Sequence, residues 1–353
     1  MKRTLAILLC LCVTLGLERQ VLQAEDSEPI RLRPAWSPDG ELVSYLASDG
    51  IHLMSKEGDH DRLLAPPSGF GGWTADSTGV FIIENRNPGE AALEWWIYPV
   101  DGTDAFQFLP QLRSIHALEY SHDGEQVAVS AQANESDPSM IWVARADGSQ
   151  LRPLAEYQVY DLSWSSDDTQ IILETVLEDA GNRQMVEVSI DISGGREPQI
   201  RPFVNGIRSV GGGIDFSYVP DSSYPPATFY ITDILDHQES VFTVNQWVAD
   251  IDYAETSRRV IYTAYCDSTG IDEAFLQGEW SAAQQETIET ALYLIDLTTS
   301  EQRVLIPCGS GSQMATSWSP DGQEILFVWI NDHRWDVYRV YADEPRFVNL
   351  TEE

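Results

Sequence analysis

The chain has 353 residues, of which 56 are acidic and 21 are basic, and its formal net charge is −35 at neutral pH. Hydrophobic residues make up 43% and charged residues 22% of the chain, which are ordinary values for a globular protein and exclude a disordered one. The excess of acid excludes nucleic acid as a partner, because a phosphate backbone binds clustered lysine and arginine. If the charge attracts a ligand, we expect that ligand to be cationic.

The first residues have the pattern of an export signal. Two basic residues precede the apolar run 5–17, and Ala24 supplies a small residue before a cleavage point. The run is too short to span a bilayer, and no later segment contains the roughly 20 apolar residues that a spanning helix requires. We therefore predict that residues 1–24 are a signal peptide. Residues 25–353 are then the mature protein, which is periplasmic or secreted and has no membrane span.

A five-residue motif repeats along the rest of the chain. Trp36-Ser37-Pro38-Asp39-Gly40 reappears as Trp318-Ser319-Pro320-Asp321-Gly322. Weaker copies run from Trp73 to Ser77, Tyr120 to Gly124, Trp164 to Asp168, Tyr218 to Ser222 and Tyr253 to Ser257. The seven copies are about 47 residues apart on average, a period typical of a four-stranded repeat.

The shared positions of the motif have structural explanations. An aspartate in such a turn accepts a hydrogen bond from its own backbone two residues on. An aromatic residue at a strand end packs between neighbouring sheets. We therefore predict a structural role, and no metal site, for the positions that define the repeat. These are Trp36, Asp39, Gly40, Trp73, Asp76, Tyr120, Asp123, Trp164, Asp167, Trp318, Asp321 and Gly322.

Strand patterns follow each copy of the motif. An alternating or β-branched run such as 42–46 comes first, and a second run follows it. The second run often ends in a pair such as Asp101-Gly102 or Asp147-Gly148, which suits a tight hairpin turn. A short segment that closes with leucine completes the repeat. Each copy thus predicts four strands.

This pattern resembles the WD-like propeller repeats of the TolB family. In that family Trp-Ser-Pro-Asp-Gly precedes a strand, an Ile-Tyr strand, an Asp-Gly turn and a closing Leu-Thr, and Asn349-Leu350-Thr351 ends this chain in the same style. The resemblance covers residues 30–351. It implies an all-β fold, a single β-propeller of four-stranded antiparallel blades. We predict seven blades, with six as the alternative, because the step between Tyr218 and Tyr253 leaves little space for four strands.

Cysteine usage predicts one disulfide. Two of the four cysteines lie within the export signal, and Cys266 and Cys308 remain after cleavage. An even number of cysteines in an oxidising compartment is typical of a disulfide-bonded protein. The strand register places both residues on the same side of the sixth repeat, so we expect them to be joined.

Loop lengths predict which side of the propeller binds. In a four-stranded blade, the turns after the first and third strands lie on one side, and the other connections lie on the opposite side. The first set is short in this sequence and the second is long, and long loops on a rigid scaffold usually carry binding residues. We predict binding on the long-loop side, with the two tryptophans of the following set as exposed anchors. The candidate residues are Glu279, Trp280, Asp332, His333 and Trp335.

Two functions fit the sequence. The favoured one is a monomeric, non-enzymatic platform that binds a protein or a small ligand, and the charge favours a cationic one. The alternative is a propeller enzyme of the lactonase or polysaccharide-lyase type, with a metal or a histidine–acid pair at the central channel. The six histidines show no zinc-ligand spacing, and the chain contains no Gly-x-Ser-x-Gly motif. We therefore predict no catalytic residue, no metal and no cofactor.

Overall fold

Antiparallel strands are the main secondary structure of the residues that the structure describes. The computed structural model describes residues 32–84, 94–134, 137–165, 167–179, 182–202, 207–209, 214–220, 227–233, 238–244, 246, 248–254, 256–267, 288–331 and 334–352. These residues contain 28 strands and no helix. Accordingly, this part of the chain offers no helix of the length and apolar character needed to cross a membrane. The predicted all-β fold is confirmed.

Within the described residues, the strands form seven sheets, each built from four consecutive antiparallel strands. The chain divides into two compact units. Unit 1 comprises Met1–Phe70, Pro220–Ala227 and Thr243–Glu353, and unit 2 comprises Gly71–Val219 and Thr228–Phe242.

Unit 1 contains the first, sixth and seventh sheets. The first sheet consists of β1 (Leu32–Trp36), β2 (Leu42–Ala47), β3 (Gly50–Ser55) and β4 (Arg62–Ala65). The sixth consists of β21 (Val248–Ala254), β22 (Arg259–Tyr265), β23 (Thr290–Asp296) and β24 (Glu301–Ile306). The seventh consists of β25 (Ser312–Trp318), β26 (Glu324–Asn331), β27 (Arg334–Tyr341) and β28 (Phe347–Asn349).

Unit 2 contains the third and fourth sheets and most of the second and fifth. The second sheet consists of β5 (Gly69–Trp73), β6 (Gly79–Glu84), β7 (Glu94–Pro99) and β8 (Phe106–Gln107). The third consists of β9 (Arg113–Tyr120), β10 (Gln126–Gln132), β11 (Met140–Arg145) and β12 (Arg152–Glu156). The fourth consists of β13 (Val159–Trp164), β14 (Gln170–Asp179), β15 (Asn182–Asp191) and β16 (Gln199–Pro202). The fifth consists of β17 (Ile207–Ser209), β18 (Ile214–Pro220), β19 (Ala227–Asp233) and β20 (Gln238–Val244).

Second strands carry most of the core because both of their faces are covered. In β10, the run from Val127 to Ala131 is entirely buried, so the strand reads as a continuous small or apolar run instead of an alternation. In unit 2, Phe81 and Trp95 of the second sheet pack with Val127 and Val129 of the third. The hydrophobic core of this unit therefore lies between the faces of neighbouring sheets.

Side chains, and not shared strands, join the first and seventh sheets of unit 1. Each of these sheets contains only its own consecutive strands. Trp36 and Val43 pack with Leu326 and Val337 across the junction. The guanidinium of Arg339, a residue that is only 2% exposed, donates to the Lys56 carbonyl at 2.8 Å and to Glu57 Oε2 at 2.7 Å. The two ends of the described chain thus meet in unit 1.

The predicted disulfide is present in unit 1. Cys266 and Cys308 are bonded, with 5.7 Å between their Cα atoms. The bond links the end of β22 to the segment after β24. The Cys266 N–H also donates to the Glu289 carbonyl at 2.9 Å. The connection between β22 and β23 is therefore held at its base by one covalent bond and one hydrogen bond.

Candidate functional site

The first copy of the motif folds into a turn in which the serine and the aspartate side chains each accept a backbone hydrogen bond. Ser37 Oγ donates to Asp39 Oδ1 at 2.6 Å and accepts from the Leu42 N–H at 2.9 Å. Asp39 Oδ1 also accepts from the Glu41 N–H at 3.1 Å. Gly40 has a φ of 72°, a conformation that glycine adopts without strain.

The same three hydrogen bonds recur in four more copies of the motif. The serine or threonine and the aspartate that make them are Thr74 with Asp76, Ser121 with Asp123, Ser165 with Asp167, and Ser319 with Asp321. Hydrogen bonds led by those from Ser121 and Ser165 lower the pKa of Asp123 and Asp167. Burial opposes this at Asp76, but hydrogen bonds from two threonines outweigh it and lower its pKa as well. These carboxylates are therefore ionised at neutral pH.

A second series of aspartates follows the third strands of the sheets in unit 2. Asp101 accepts from the Thr103 N–H at 3.0 Å, Asp147 from the Ser149 N–H at 2.9 Å, and Asp191 from the Ser193 N–H at 2.8 Å. Hydrogen bonds from these residues, two positions on, lower the pKa of all three carboxyl groups.

The turns of the second, third and fourth sheets adjoin one another. A Cβ at Gly124 would lie 3.3 Å from Ala75 Cβ of the neighbouring turn. The His122 N–H donates to Asp168 Oδ1 at 2.9 Å, and His122 Nδ1 lies 2.7 Å from the same oxygen. The turns after the first and third strands lie at one edge of each sheet. Six ionised aspartates therefore lie along the corresponding edges of these three sheets. We call them the aspartate rim: Asp76, Asp101, Asp123, Asp147, Asp167 and Asp191.

A cavity of about 580 Å³ opens at this rim between the second and third sheets of unit 2. Its apolar lining includes Ile97, Pro99, Val100, Phe106 and Phe108, together with Tyr120 of the third sheet. Burial first, and the charge of Asp76 second, raise the pKa of Tyr120, whose hydroxyl is therefore neutral. Three rim residues, Asp76, Asp101 and Asp147, also line the cavity. The site thus combines apolar walls with fixed negative charge.

The structure describes only one of the five residues that were predicted to bind on the long-loop side. Glu279, Trp280, Asp332 and His333 lie outside the described residues. The prediction that Trp335 is exposed is wrong, since only 1% of it is accessible. Its strand begins one residue earlier, at Arg334, and pairs Trp335 with Ile330 of β26. What the sequence suggested was a loop is the end of a hairpin, and the strand turns this indole inward.

Motif tryptophans join the first strands of neighbouring sheets. Trp164 Nε1 donates to the Glu119 carbonyl at 2.9 Å, and Trp318 Nε1 donates to the Asp252 carbonyl at 3.3 Å. Each carbonyl belongs to the residue just before the motif tyrosine of the preceding sheet. Trp36, Trp164 and Trp318 are all buried. The rings of Trp164 and Trp318 therefore contribute both packing and one hydrogen bond between sheets.

Two of the described histidines, His52 and His122, contact aspartate side chains. His52 contacts Asp61 and Asp49, and its hydrogen bond to the Asp61 carboxylate leads the contributions that raise its pKa. Burial lowers the pKa of His116, whereas His237 lies outside the described residues. In the described ranges, no group of three or more His, Cys, Asp or Glu could hold a metal ion.

The cavity was not foreseen from the sequence. It requires the Asp101 turn of one sheet to face the Asp147 turn of the next, which no local pattern specifies. One local signal was available, because Phe106 and Phe108 alternate a few residues after the Asp101-Gly102 turn. Only Phe108 is buried, at 3% exposed, while Phe106 is 52% exposed. Phe106, the exposed ring of the two-residue strand β8, marks the wall of the cavity.

No family model matches the sequence, and no curated protein matches it. Solved structures do. The β-propeller domain of the Trilobed protease from Pyrococcus furiosus, which has an open velcro topology, is similar with a TM-score of 0.65 at 11% identity. That match covers 92% of this chain and 99% of the domain. The acylaminoacyl peptidase of Pyrococcus horikoshii is similar with a TM-score of 0.63 at 13% identity, over 95% of this chain.

These likenesses show a β-propeller fold and nothing finer. This chain matches only 54% of the acylaminoacyl peptidase, so that about half of the enzyme has no counterpart in the match. TolB from Acinetobacter baumannii is also similar, at 15% identity over 87% of this chain and 75% of TolB. Its TM-score of 0.46 is too low to support membership of the TolB family.

Proposed function

We propose that the protein is an exported, non-enzymatic β-propeller whose seven sheets are its blades, and that it serves as a binding platform for positively charged partners. The aspartate rim supports this proposal, which places binding at the turns after first and third strands and not on the long-loop side that the sequence predicted. Its six carboxylates are ionised and attached to turns whose hydrogen bonds fix them. Binding a cation there requires little reordering of the protein, which is the cost that usually weakens polar recognition.

The charge of the whole chain acts in the same direction. A net charge of −35 creates a field that accelerates the approach of cationic partners and repels anionic ones. The cations near the rim are few among the described residues. Arg196 lies 3.6 Å from Asp191, and the charge of Arg145 contributes to the lowered pKa of Asp147. Most of the rim charge is therefore open to an external partner.

The disulfide supports the export part of the proposal. Disulfides persist in oxidising compartments and are rare in the cytosol, and the bond between Cys266 and Cys308 fits the signal-like residues 1–24. Recovery of the protein from the extracytoplasmic fraction with residue 25 as its N-terminus would support export. Recovery from the cytosol with an intact N-terminus would contradict it.

A charge series of peptides tests the platform. Synthetic peptides of equal length but increasing positive charge are titrated against the full mature chain, with binding followed by fluorescence anisotropy. We expect affinity to increase with positive charge and to decrease as salt is raised to about 0.15 M, because salt screens exposed charges. Equal binding of neutral and basic peptides, or no binding of either, would overturn the proposal.

A matched pair of variants locates the binding. In the rim variant, all six rim aspartates become asparagine, which keeps an oxygen acceptor in each turn. The control variant removes six exposed charges elsewhere by the corresponding amide substitutions at Asp49, Asp59, Glu156, Glu301, Glu344 and Glu352. Both variants have the same net charge, so a loss confined to the rim variant assigns binding to the rim. An equal loss in both would show that only the overall charge matters.

A further inference from the structure

We infer that the cavity between the second and third sheets is the specific pocket of the aspartate rim, and that it binds a basic side chain and an adjacent apolar side chain of a partner peptide. The inference rests on the proposed function, which it makes more specific. It is supported by the walls of the cavity, by its three carboxylates and by its position at a sheet edge.

The walls of the cavity select an apolar group. Ile97, Pro99 and Val100 come from the second sheet, and Phe106 adds an aromatic ring that is 52% exposed. Exposed apolar area next to a concavity loses contact with water when a ligand covers it, and this favours binding. A ligand that offered only charge would leave these side chains uncovered.

The mouth of the cavity selects a cation. Asp76, Asp101 and Asp147 come from three separate turns, and the described cavity lining contains no Lys, Arg or His. The hydrogen bonds that described residues donate to Asp76 and Asp101 all end on Oδ1, so each Oδ2 remains available to a ligand. Carboxylate oxygens on separate turns suit a guanidinium or ammonium that reaches them through several N–H donors.

The size and position of the cavity indicate a peptide. About 580 Å³ lies within the range of ligand pockets, roughly 300 to 1,000 Å³, and exceeds what one side chain fills. Phe106 belongs to β8, which is the outermost strand of its sheet. An extended segment can pass along such an edge and place successive side chains in different directions. One residue can then reach the carboxylates while its neighbour covers Phe106.

Three peptides of equal length separate the two requirements. They carry Arg-Leu, Arg-Gly or Gln-Leu at the same central position and are otherwise identical and neutral. Binding to the full mature chain is measured by fluorescence anisotropy. We expect the Arg-Leu peptide to bind at least about tenfold more tightly than either of the others, since each lacks one anchor.

Protein variants then place the peptide. The pocket variant carries Asp76→Asn, Asp101→Asn and Asp147→Asn. Its matched control carries Asp123→Asn, Asp167→Asn and Asp191→Asn, three rim residues that do not line the cavity. We expect the pocket variant to lose about tenfold in affinity for Arg-Leu and the control to lose about twofold at most. Phe106→Ser should reduce the binding of Arg-Leu to the level of Arg-Gly.

The outcomes distinguish the pocket from the platform. If both triple variants weaken Arg-Leu and Arg-Gly alike, the rim binds by diffuse charge, the platform stands and the pocket inference is overturned. If Arg-Leu binds no better than Arg-Gly, the apolar wall is not used and the inference also fails. If no basic peptide of any composition binds the wild type, the platform itself fails. Unchanged melting midpoints in the three variants show that each is folded.

Discussion

Asp167 in a motif turn and Asp252 on β21 accept similar hydrogen bonds, but their pKa values shift in opposite directions. In the turn of the fourth sheet, Asp167 is exposed and its hydrogen bonds lower its pKa. On β21, Asp252 Oδ2 accepts from the Trp318 N–H at 2.9 Å, yet burial of its carboxyl raises its pKa to about 6. Although the residue as a whole is only half-buried, its carboxyl is directed at the seventh sheet.

The difference shows that hydrogen bonds alone do not keep the pKa of a carboxyl group low. A turn aspartate retains contact with water, whereas the carboxyl of Asp252 has lost much of its water to the neighbouring sheet. The sixth copy of the motif has no aspartate in its turn. Instead, Asp250 Oδ2 accepts from the Thr316 N–H at 2.6 Å and from its hydroxyl at 2.9 Å. In this repeat, aspartates connect two sheets instead of closing a turn.

The largest expected effect comes from removing the ring of Trp318, which contacts Asp252 of the neighbouring sheet. Trp318 is 7% exposed and donates from its backbone and its indole to Asp252. We expect Trp318→Ala to lower the free energy of unfolding by about 3 to 5 kcal/mol, through the cavity it leaves. Urea unfolding measures the loss, with Trp318→Phe as the milder control. A loss below about 1 kcal/mol would contradict the role of this ring between sheets.

The next effect concerns Asp252 and pH. Its raised pKa means that the folded state binds the proton more tightly than the unfolded state, whose pKa is about 3.9. Its contribution is therefore fully present below pH 4 and is lost as pH rises through about 6. We expect Asp252→Asn to be more stable than wild type by about 1 to 3 kcal/mol at pH 8 and nearly equal to it at pH 4.

Comparing the variant with wild type at each pH removes the contribution of every other titrating group. The asparagine oxygen can still accept from the Trp318 N–H, so the contact between sheets is retained. A difference between the two proteins that does not change from pH 4 to pH 8 would show that Asp252 remains ionised in the folded state.

A smaller loss is expected within a regular turn. Ser319 is buried and its Oγ accepts from the Glu324 N–H at 2.9 Å while donating to Asp321 at 2.6 Å. Ser319→Ala leaves that N–H without its side-chain partner and should cost about 1 to 2 kcal/mol. Ser317→Ala, outside the turn, is the control. Equal effects of the two substitutions on the melting midpoint would argue against the special role of the motif serine.

The smallest effect should have the opposite dependence on pH. Because the pKa of Asp167 is lowered, its contribution to stability is present above the unfolded pKa of about 3.9 and is lost as pH falls below it. Asp167→Asn should therefore be slightly less stable than wild type at neutral pH. This difference in the free energy of unfolding should shrink at pH 3. A difference that grows on acidification would reverse the contrast with Asp252.

Local chemistry let the sequence determine much of the fold. The Ser-x-Asp-Gly turn closes through hydrogen bonds among about six neighbouring residues, so Asp39, Asp123 and Asp321 could be placed before any tertiary contact was known. Strands were predictable because apolar and β-branched residues are concentrated where sheets are covered. The disulfide could be predicted because only two cysteines remained to pair. Each of these inferences needed information only from adjacent residues or from composition.

Contacts between sheets decided the rest. Trp335 is buried because it belongs to β27, which begins at Arg334. Burial raises the pKa of Asp252 despite the hydrogen bond from Trp318, a residue 66 positions away. The cavity depends on Asp101 and Asp147, whose turns belong to different sheets. Burial and desolvation depend on which surfaces of the sheets pack against each other. A single sequence shows which residues form a surface, but not which surfaces come into contact. Turn geometry could therefore be predicted from the sequence, whereas the raised pKa of Asp252 and the cavity arose only from packing.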